Sequence, residues 1–293
     1  MKNHQEEFYP AALTISASDS GGGSGIQADL RTFNAAGVYG CSAITAIAAR
    51  SHRQTAAFSA LEPELVKQEI ECVLSDVAIK AVKLGVLANS GIAQTVAEVL
   101  KKYKLPVIAS PAMFSNNGDP LLDTDSIKTV QNTILPLADM IILNIPEAEY
   151  LAGHKLKNEN DYADAAMLFA DKYQCNILLT TGHAIGSRIG NVAVIDKKLY
   201  LLSHPSVSDQ DEFTFYGMTC TLSSGITAMV AAGNGWKDAL VLAMVHLFGA
   251  MSETAHIGKN LDVMYPPLED YSRAVTIRSM QKNQESKGVH NAR

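Results

Sequence analysis

The chain has 293 residues, 47% of them hydrophobic and 18% charged, with a formal net charge of −6 at pH 7. That composition supports a large buried core and excludes extended disorder over most of the length. The acidic balance argues against a nucleic-acid or anionic-membrane partner. No apolar run reaches membrane-spanning length, and residues 1–9 lack a signal-peptide core. Cys41, Cys72, Cys175 and Cys220 are widely spaced with no CxxC pair, which predicts reduced thiols in a cytoplasmic protein.

Strand-like and helix-like runs alternate along the chain. Ala11–Ala17 is an apolar strand, followed by the glycine loop within Asp19–Asp29 and a helix over Ile26–Ala36. Gly21, Gly22 and Gly23 leave backbone bare for a polar ligand, and the N–H groups of the following helical turn face the loop. The spacing fits neither a dinucleotide fingerprint, since Ile26 stands where its last glycine belongs, nor a Walker loop, which needs a lysine. A plain connecting turn is the alternative.

Val38–Ala49 then reads as a strand, Pro63–Leu74 as a helix, Ile79–Leu84 as a strand ended by Gly85, and Ile92–Leu100 as a helix. Leu105–Ala109, Met140–Leu143 and Ile177–Thr181 continue the strands, with helices over Ser126–Leu135 and Asp161–Tyr173. Asn191–Asp196 and Leu199–Ser203 form a hairpin near Lys197-Lys198, and Thr221–Ala232 and Trp236–Met251 are the last long helices. Repeated β-α-β predicts one α/β domain over 10–275, with a mainly parallel central sheet, helices on both faces, and ligands outside the carboxyl ends of the strands. Residues 1–9 and 279–293 are expected to be disordered tails.

Two further segments carry chemistry. In Asn144-Ile-Pro-Glu147, Asn and Glu at a strand's carboxyl end offer oxygens to Mg²⁺ or its waters; the plain alternative is an N-cap with its capping-box partner. In Tyr216-Gly-Met-Thr-Cys220, a glycine turn opens a helix whose N–H groups suit a transferring phosphoryl group, with Cys220 as a favoured thiolate or else a buried small hydrophobe.

Together with 24–33, 37–46, 118–122, 182–183 and 220–224, these segments resemble the hydroxymethylpyrimidine/phosphomethylpyrimidine kinases of thiamine synthesis, within the ribokinase superfamily. The resemblance runs from about Ala11 to about Ala250. It implies a three-layer fold, a homodimer, and ATP- and Mg²⁺-dependent phosphorylation of a small pyrimidine alcohol. By the same resemblance Asp29, Gly21, Gly22, Arg50 and Val86 contact substrate. Asn144, Thr180 and Gly182 bind nucleotide, and Glu147 and Asn144 organise the metal. Gly217, Thr219 and Cys220 form the anion hole and the base or hydroxyl-orienting group.

The chain departs from the family pattern at several of these places. Arg50 stands for a glutamine, Val86 for a methionine, Ser110 for an aspartate, Thr180 for a lysine, and Met218-Thr219 for Thr-Gly. Three readings therefore stand side by side: a pyrimidine kinase, a pyridoxal-type kinase, and a ribokinase-fold ligand-binding protein with weakened catalysis.

Overall fold

The structure is a computed structural model that describes residues 9–115, 117–185, 187–207, 215–258 and 261–280. Its spine is β1 (Ala11–Asp19), a strand covered on both faces. Leu13 and Ile15 pack into one core, and Ala12 faces the other. Strands buried on both sides have no polar alternation to show, which is why this segment reads as one apolar run.

The chain continues through α1 (Gly25–Ala35), β2 (Tyr39–Arg50), β3 (Thr55–Ala60), α2 (Pro63–Asp76), β4 (Ile79–Leu84), α3 (Ser90–Leu100) and β5 (Val107–Ala109). It then forms α4 (Thr124–Thr129), β6 (Met140–Asn144), α5 (Ile145–Ala152), α6 (Glu159–Tyr173), β7 (Asn176–Ile185), β8 (Arg188–Ile195) and β9 (Lys198–Pro205). The last elements are α7 (Met218–Ala231), α8 (Trp236–Ser252), β10 (Thr254–Gly258), β11 (Leu261–Met264) and β12 (Thr276–Ser279).

Among the described residues ten strands make one sheet in the order β12-β9-β8-β7-β6-β5-β4-β1-β2-β3, and β10 pairs with β11 in a separate ribbon. β2, β1, β4, β5, β6 and β7 run parallel; β3, β8, β9 and β12 add antiparallel edges. One core holds α2, α3 and α6 against the sheet, while α7 and α8 fill the other. This is the three-layer α/β arrangement that the alternation predicts.

The boundaries differ in places. β12 pairs with β9, so the sheet extends past residue 275 through Ser279; residues 1–8 and 281–293 of the expected tails lie outside the described residues. β3 escapes the sequence pattern because all of its residues are exposed and two-sided burial never imprints on them. The β8–β9 turn is at Asp196-Lys197, both left-handed at φ 49° and 63°, one residue before the lysine pair.

Candidate active site

The strand order reverses at β1, which has β2 on one side and β4 on the other. In a parallel sheet such a switch opens a crevice at the carboxyl ends. The glycine loop closes over that crevice. The Asp19 carboxylate organises it, accepting from the N–H of Gly21 (2.9 Å) and from the N–H and hydroxyl of Ser24 (2.9 and 3.0 Å). Arg31 Nη2 donates to the Gly22 carbonyl at 2.9 Å, and Gly22 itself sits at φ 76°. Gly25 sits at φ 58°, and a side chain there would run into the Ala17 carbonyl. The loop is therefore a built turn, in which the Gly21 and Gly22 N–H groups both bond to Asp19, to its carboxylate and its carbonyl respectively.

α7 docks against this loop. Gly217, its N-cap, takes φ 91°, and a Cβ there would overlap the Gly23 carbonyl oxygen. The Tyr216 hydroxyl lies 2.7 Å from Ser24 Oγ. The N–H groups of Thr219 and Cys220, in the first turn, have no intrahelical acceptor. Thr219 is not among the positive-φ residues, so replacing glycine there imposes no backbone strain and leaves its N–H presented.

Cys220 packs under Gly25, whose N–H points at its sulfur. Burial pushes the thiol up, and Lys83 opposes this only in part. Cys220 is thus a thiol at neutral pH, which corrects the favoured thiolate: helix-end electrostatics lose to desolvation.

Asp29 has partners other than the expected ligand. It is fully buried, with Lys83 Nζ at 2.7 and 2.6 Å from its two oxygens and Thr14 Oγ1 at 2.7 Å. Its position on the inward face of α1 turns the carboxylate under β1 and β4, so its expected contact with a substrate ring is replaced by a buried ion pair. The Asp29 charge holds Lys83 protonated against the pull of desolvation. Lys83 is the residue the sequence reading missed, although Lys80 and Lys83 in the run Ile79–Leu84 alternate to opposite faces of a strand, so that one of the two needs a buried partner. Val86 lies just past the end of β4, pinned by its backbone: its N–H donates to Ser16 Oγ (3.2 Å) and its carbonyl accepts from the Thr45 hydroxyl (2.6 Å). Arg50 ends β2 beside the loop, half-buried.

On the other side of the α7 N-terminus lies a cleft of about 440 Å³. Asn144, Thr180, Gly182 and Thr219 line it with His204, Leu247 and Met251. The structure thus brings together the three residues expected to bind nucleotide. Gly182, at φ 60°, sits where the β7–β8 register shifts. Thr180 supplies no charge; its hydroxyl donates to the Leu143 carbonyl at 3.2 Å. Ser110, buried at the end of β5, likewise leaves that edge without a carboxylate.

The expected metal pair is otherwise engaged. Asn144 and Glu147 form a capping box: Asn144 Oδ1 accepts from the Glu147 N–H, and Glu147 accepts from the Asn144 N–H, both at 2.9 Å. Glu147 also accepts from the N–H of Met113 at 2.7 Å and from that of Phe114, and the Asn144 amide donates to the Phe114 carbonyl. With oxygens this occupied, the pair does not fit as direct Mg²⁺ ligands; the plain capping alternative is what forms, fastening the 113–114 segment to α5.

Burial pushes the Glu147 carboxyl up to about 7 from 4.5. Between those values the folded chain keeps a proton that the unfolded chain has released. Stability is then expected to fall as pH rises from 4.5 to about 7, by about 3 kcal/mol from this group. Urea unfolding across that window should show the slope, and Glu147→Gln should flatten it.

A family model described as phosphomethylpyrimidine kinase matches residues 19–264, spanning both sides of this site. The chain belongs to the phosphomethylpyrimidine kinase family. It is 32% identical over 252 residues to the hydroxymethylpyrimidine/phosphomethylpyrimidine kinase of Haemophilus influenzae, covering 84% of this chain and 93% of that protein. The crystal structure of phosphomethylpyrimidine kinase from Clostridium difficile is 33% identical, with a TM-score of 0.73 and coverage of 82% of this chain and 99% of that one. A pyridoxal kinase from Staphylococcus aureus, solved with AMP-PCP, shares the fold at a TM-score of 0.81 and 24% identity, covering 93% and 99%. This kinase is therefore a phosphotransferase of the pyrimidine-kinase type on a ribokinase-like fold.

Proposed function

We propose that this kinase transfers the terminal phosphoryl group of ATP to the hydroxymethyl oxygen of a small pyrimidine alcohol or its monophosphate, as a step in thiamine synthesis. One observation carries the reading: the glycine loop and the 440 Å³ cleft meet at the first turn of α7, with Thr219 on the cleft side and Cys220 under Gly25. A ring held beneath the loop and a nucleotide in the cleft would face each other across open backbone N–H groups.

Bound nucleotide supplies the phosphoryl group, and Mg²⁺ is proposed as the ion that accompanies its phosphates rather than one held by Asn144 or Glu147. The chain's own residues position and stabilise. Thr219 and Cys220 present N–H groups toward developing negative charge at a helix N-terminus. The Cys220 thiol orients the attacking hydroxyl. The new O–P bond forms as the bridging oxygen leaves with ADP, and the hydroxyl proton passes to solvent. A cytoplasmic homodimer is also proposed; the exposed apolar Ile47 and Phe58 on the β2–β3 hairpin are the surface that supports it.

Calorimetry with ATP tests the nucleotide half: saturable binding is expected, and its absence would sink the reading. Cys220→Ala should slow turnover by about 10²-fold or more while ATP affinity holds, on the scale of a positioned catalytic group; unchanged turnover would remove Cys220 from the mechanism.

A further inference from the structure

The cleft beside α7 holds two polar side chains that the transfer step does not use. Asn191 on β8 and His204 on β9 both line it, and both are buried, at 6% and 7% exposed. The hairpin register opposes Asn191 to Leu202 and Ile189 to His204. Opposed residues share a sheet face, and so do positions two apart on one strand. Asn191 and His204 therefore stand diagonally on one face, about 7–8 Å apart at their Cα atoms.

Neither is used up by the fold. The Asn191 amide has no hydrogen-bond partner among the described residues, and an amide buried without one is costly. His204 has one ring nitrogen engaged: Nδ1 lies 2.8 Å from the Pro205 carbonyl. A carbonyl only accepts, so Nδ1 holds the proton. Burial pulls the imidazole below the ordinary histidine value, and the Arg188 charge adds to that pull. The ring is therefore neutral at pH 7, with Nε2 a bare acceptor. Phe248 packs on the ring at 5.6 Å between centroids and holds its plane.

Among the described residues that line the cleft, none is acidic, lysine or arginine, and Leu222, Leu247 and Met251 make apolar walls. Phosphates are drawn to the α7 N-terminus at Thr219, which leaves the uncharged hairpin face for the flat base of the nucleotide.

We propose that Asn191 and His204 read that base and select adenine as the base of the phosphoryl donor. The adenine amino group has two hydrogens, one for Asn191 Oδ1 and one for His204 Nε2, while Asn191 Nδ2 donates to the neighbouring ring nitrogen. Hypoxanthine reverses that edge, with an oxo oxygen in place of the amino group. Asn191 answers by turning its amide over, since it carries both a donor and an acceptor. His204 cannot follow, because its proton is held by Pro205, and Nε2 would face the oxygen as acceptor against acceptor. Asn191 thus supplies affinity and His204 discrimination. The proposal deepens the kinase reading and rests on its placing of nucleotide in the cleft.

The test is calorimetry of the full chain with Mg²⁺ and either ATP or ITP, whose base is hypoxanthine. ATP should bind at least about tenfold tighter. His204→Phe keeps an aromatic ring against Phe248 but removes the acceptor, and should bring the two affinities to within about threefold. Asn191→Leu should weaken both nucleotides by about fivefold and leave ATP ahead; it carries the test if His204→Phe does not fold. Equal or reversed affinities in the wild type, a preference untouched in His204→Phe, or unchanged affinities in Asn191→Leu would overturn the proposal. ATP and ITP equal throughout but both weakened by Asn191→Leu would mark a ribose contact, which overturns it too. Equal affinities with normal turnover would leave the kinase reading standing. A chain that prefers ATP but forms no phosphomonoester would overturn that reading and leave the base preference standing, and a chain that binds neither nucleotide would end both.

Discussion

Lys83→Met is expected to lower the unfolding free energy by about 3–5 kcal/mol, because it leaves the Asp29 carboxylate buried without its cation. Both groups are essentially sealed, with side chains 1% and 0% exposed, so water cannot take the place of either partner. The double variant Lys83→Met with Asp29→Asn should recover most of that loss, since it removes both charges and keeps an acceptor for Thr14. Denaturant unfolding of the two single variants and the double variant checks this as a cycle. Additive losses would mean that the pair is not coupled and that Asp29 has other work. The cycle also separates roles: if Asp29 only braces α1 beneath the loop, substrate affinity should return together with stability in the double variant.

Gly217→Ala should cost about 2–5 kcal/mol and abolish measurable turnover. Left-handed backbone costs an L-residue about 1–2 kcal/mol. The added Cβ meets the backbone of Gly23, which cannot turn aside as a flexible side chain can. Relief requires α7 to withdraw from the loop, on the about 1–3 kcal/mol scale of overpacking. Gly153 provides the control: it sits at φ 77° with nothing near the Cβ position, so Gly153→Ala should show the conformational cost alone. Thermal unfolding and product formation on the two variants distinguish a local strain from loss of the junction between substrate loop and α7.

The parallel core of the sheet was legible because its strands are buried on both faces and separated by amphipathic helices. β1, β4 and β6 appear as apolar runs, and α3 shows Ile92, Val96 and Val99 on its buried face. The exposed β3 and the small β10–β11 ribbon bury too little to leave a period. The site was legible as a set of loops: Gly21, Gly22, Gly217 and Gly182 each occupy a turn, a docking contact or a register shift that bare backbone serves. Side-chain roles were harder. Asp29 and Glu147 look like ligands in sequence, but their oxygens go to Lys83, Thr14 and backbone N–H groups, partners set by tertiary packing. Tyr216 gains meaning only when Ser24, Arg50 and His52, far off in the chain, close around it.

The central claim is that the glycine loop and the nucleotide-sized cleft serve a single phosphoryl transfer. Its most direct test is a phosphorus-NMR assay of the full chain with Mg-ATP and the amino and oxo hydroxymethyl pyrimidines. The predicted result is a new phosphomonoester appearing in step with ADP, dependent on the ring alcohol. ADP formed at the same rate without the alcohol, or no phosphomonoester while both ligands bind, would contradict it.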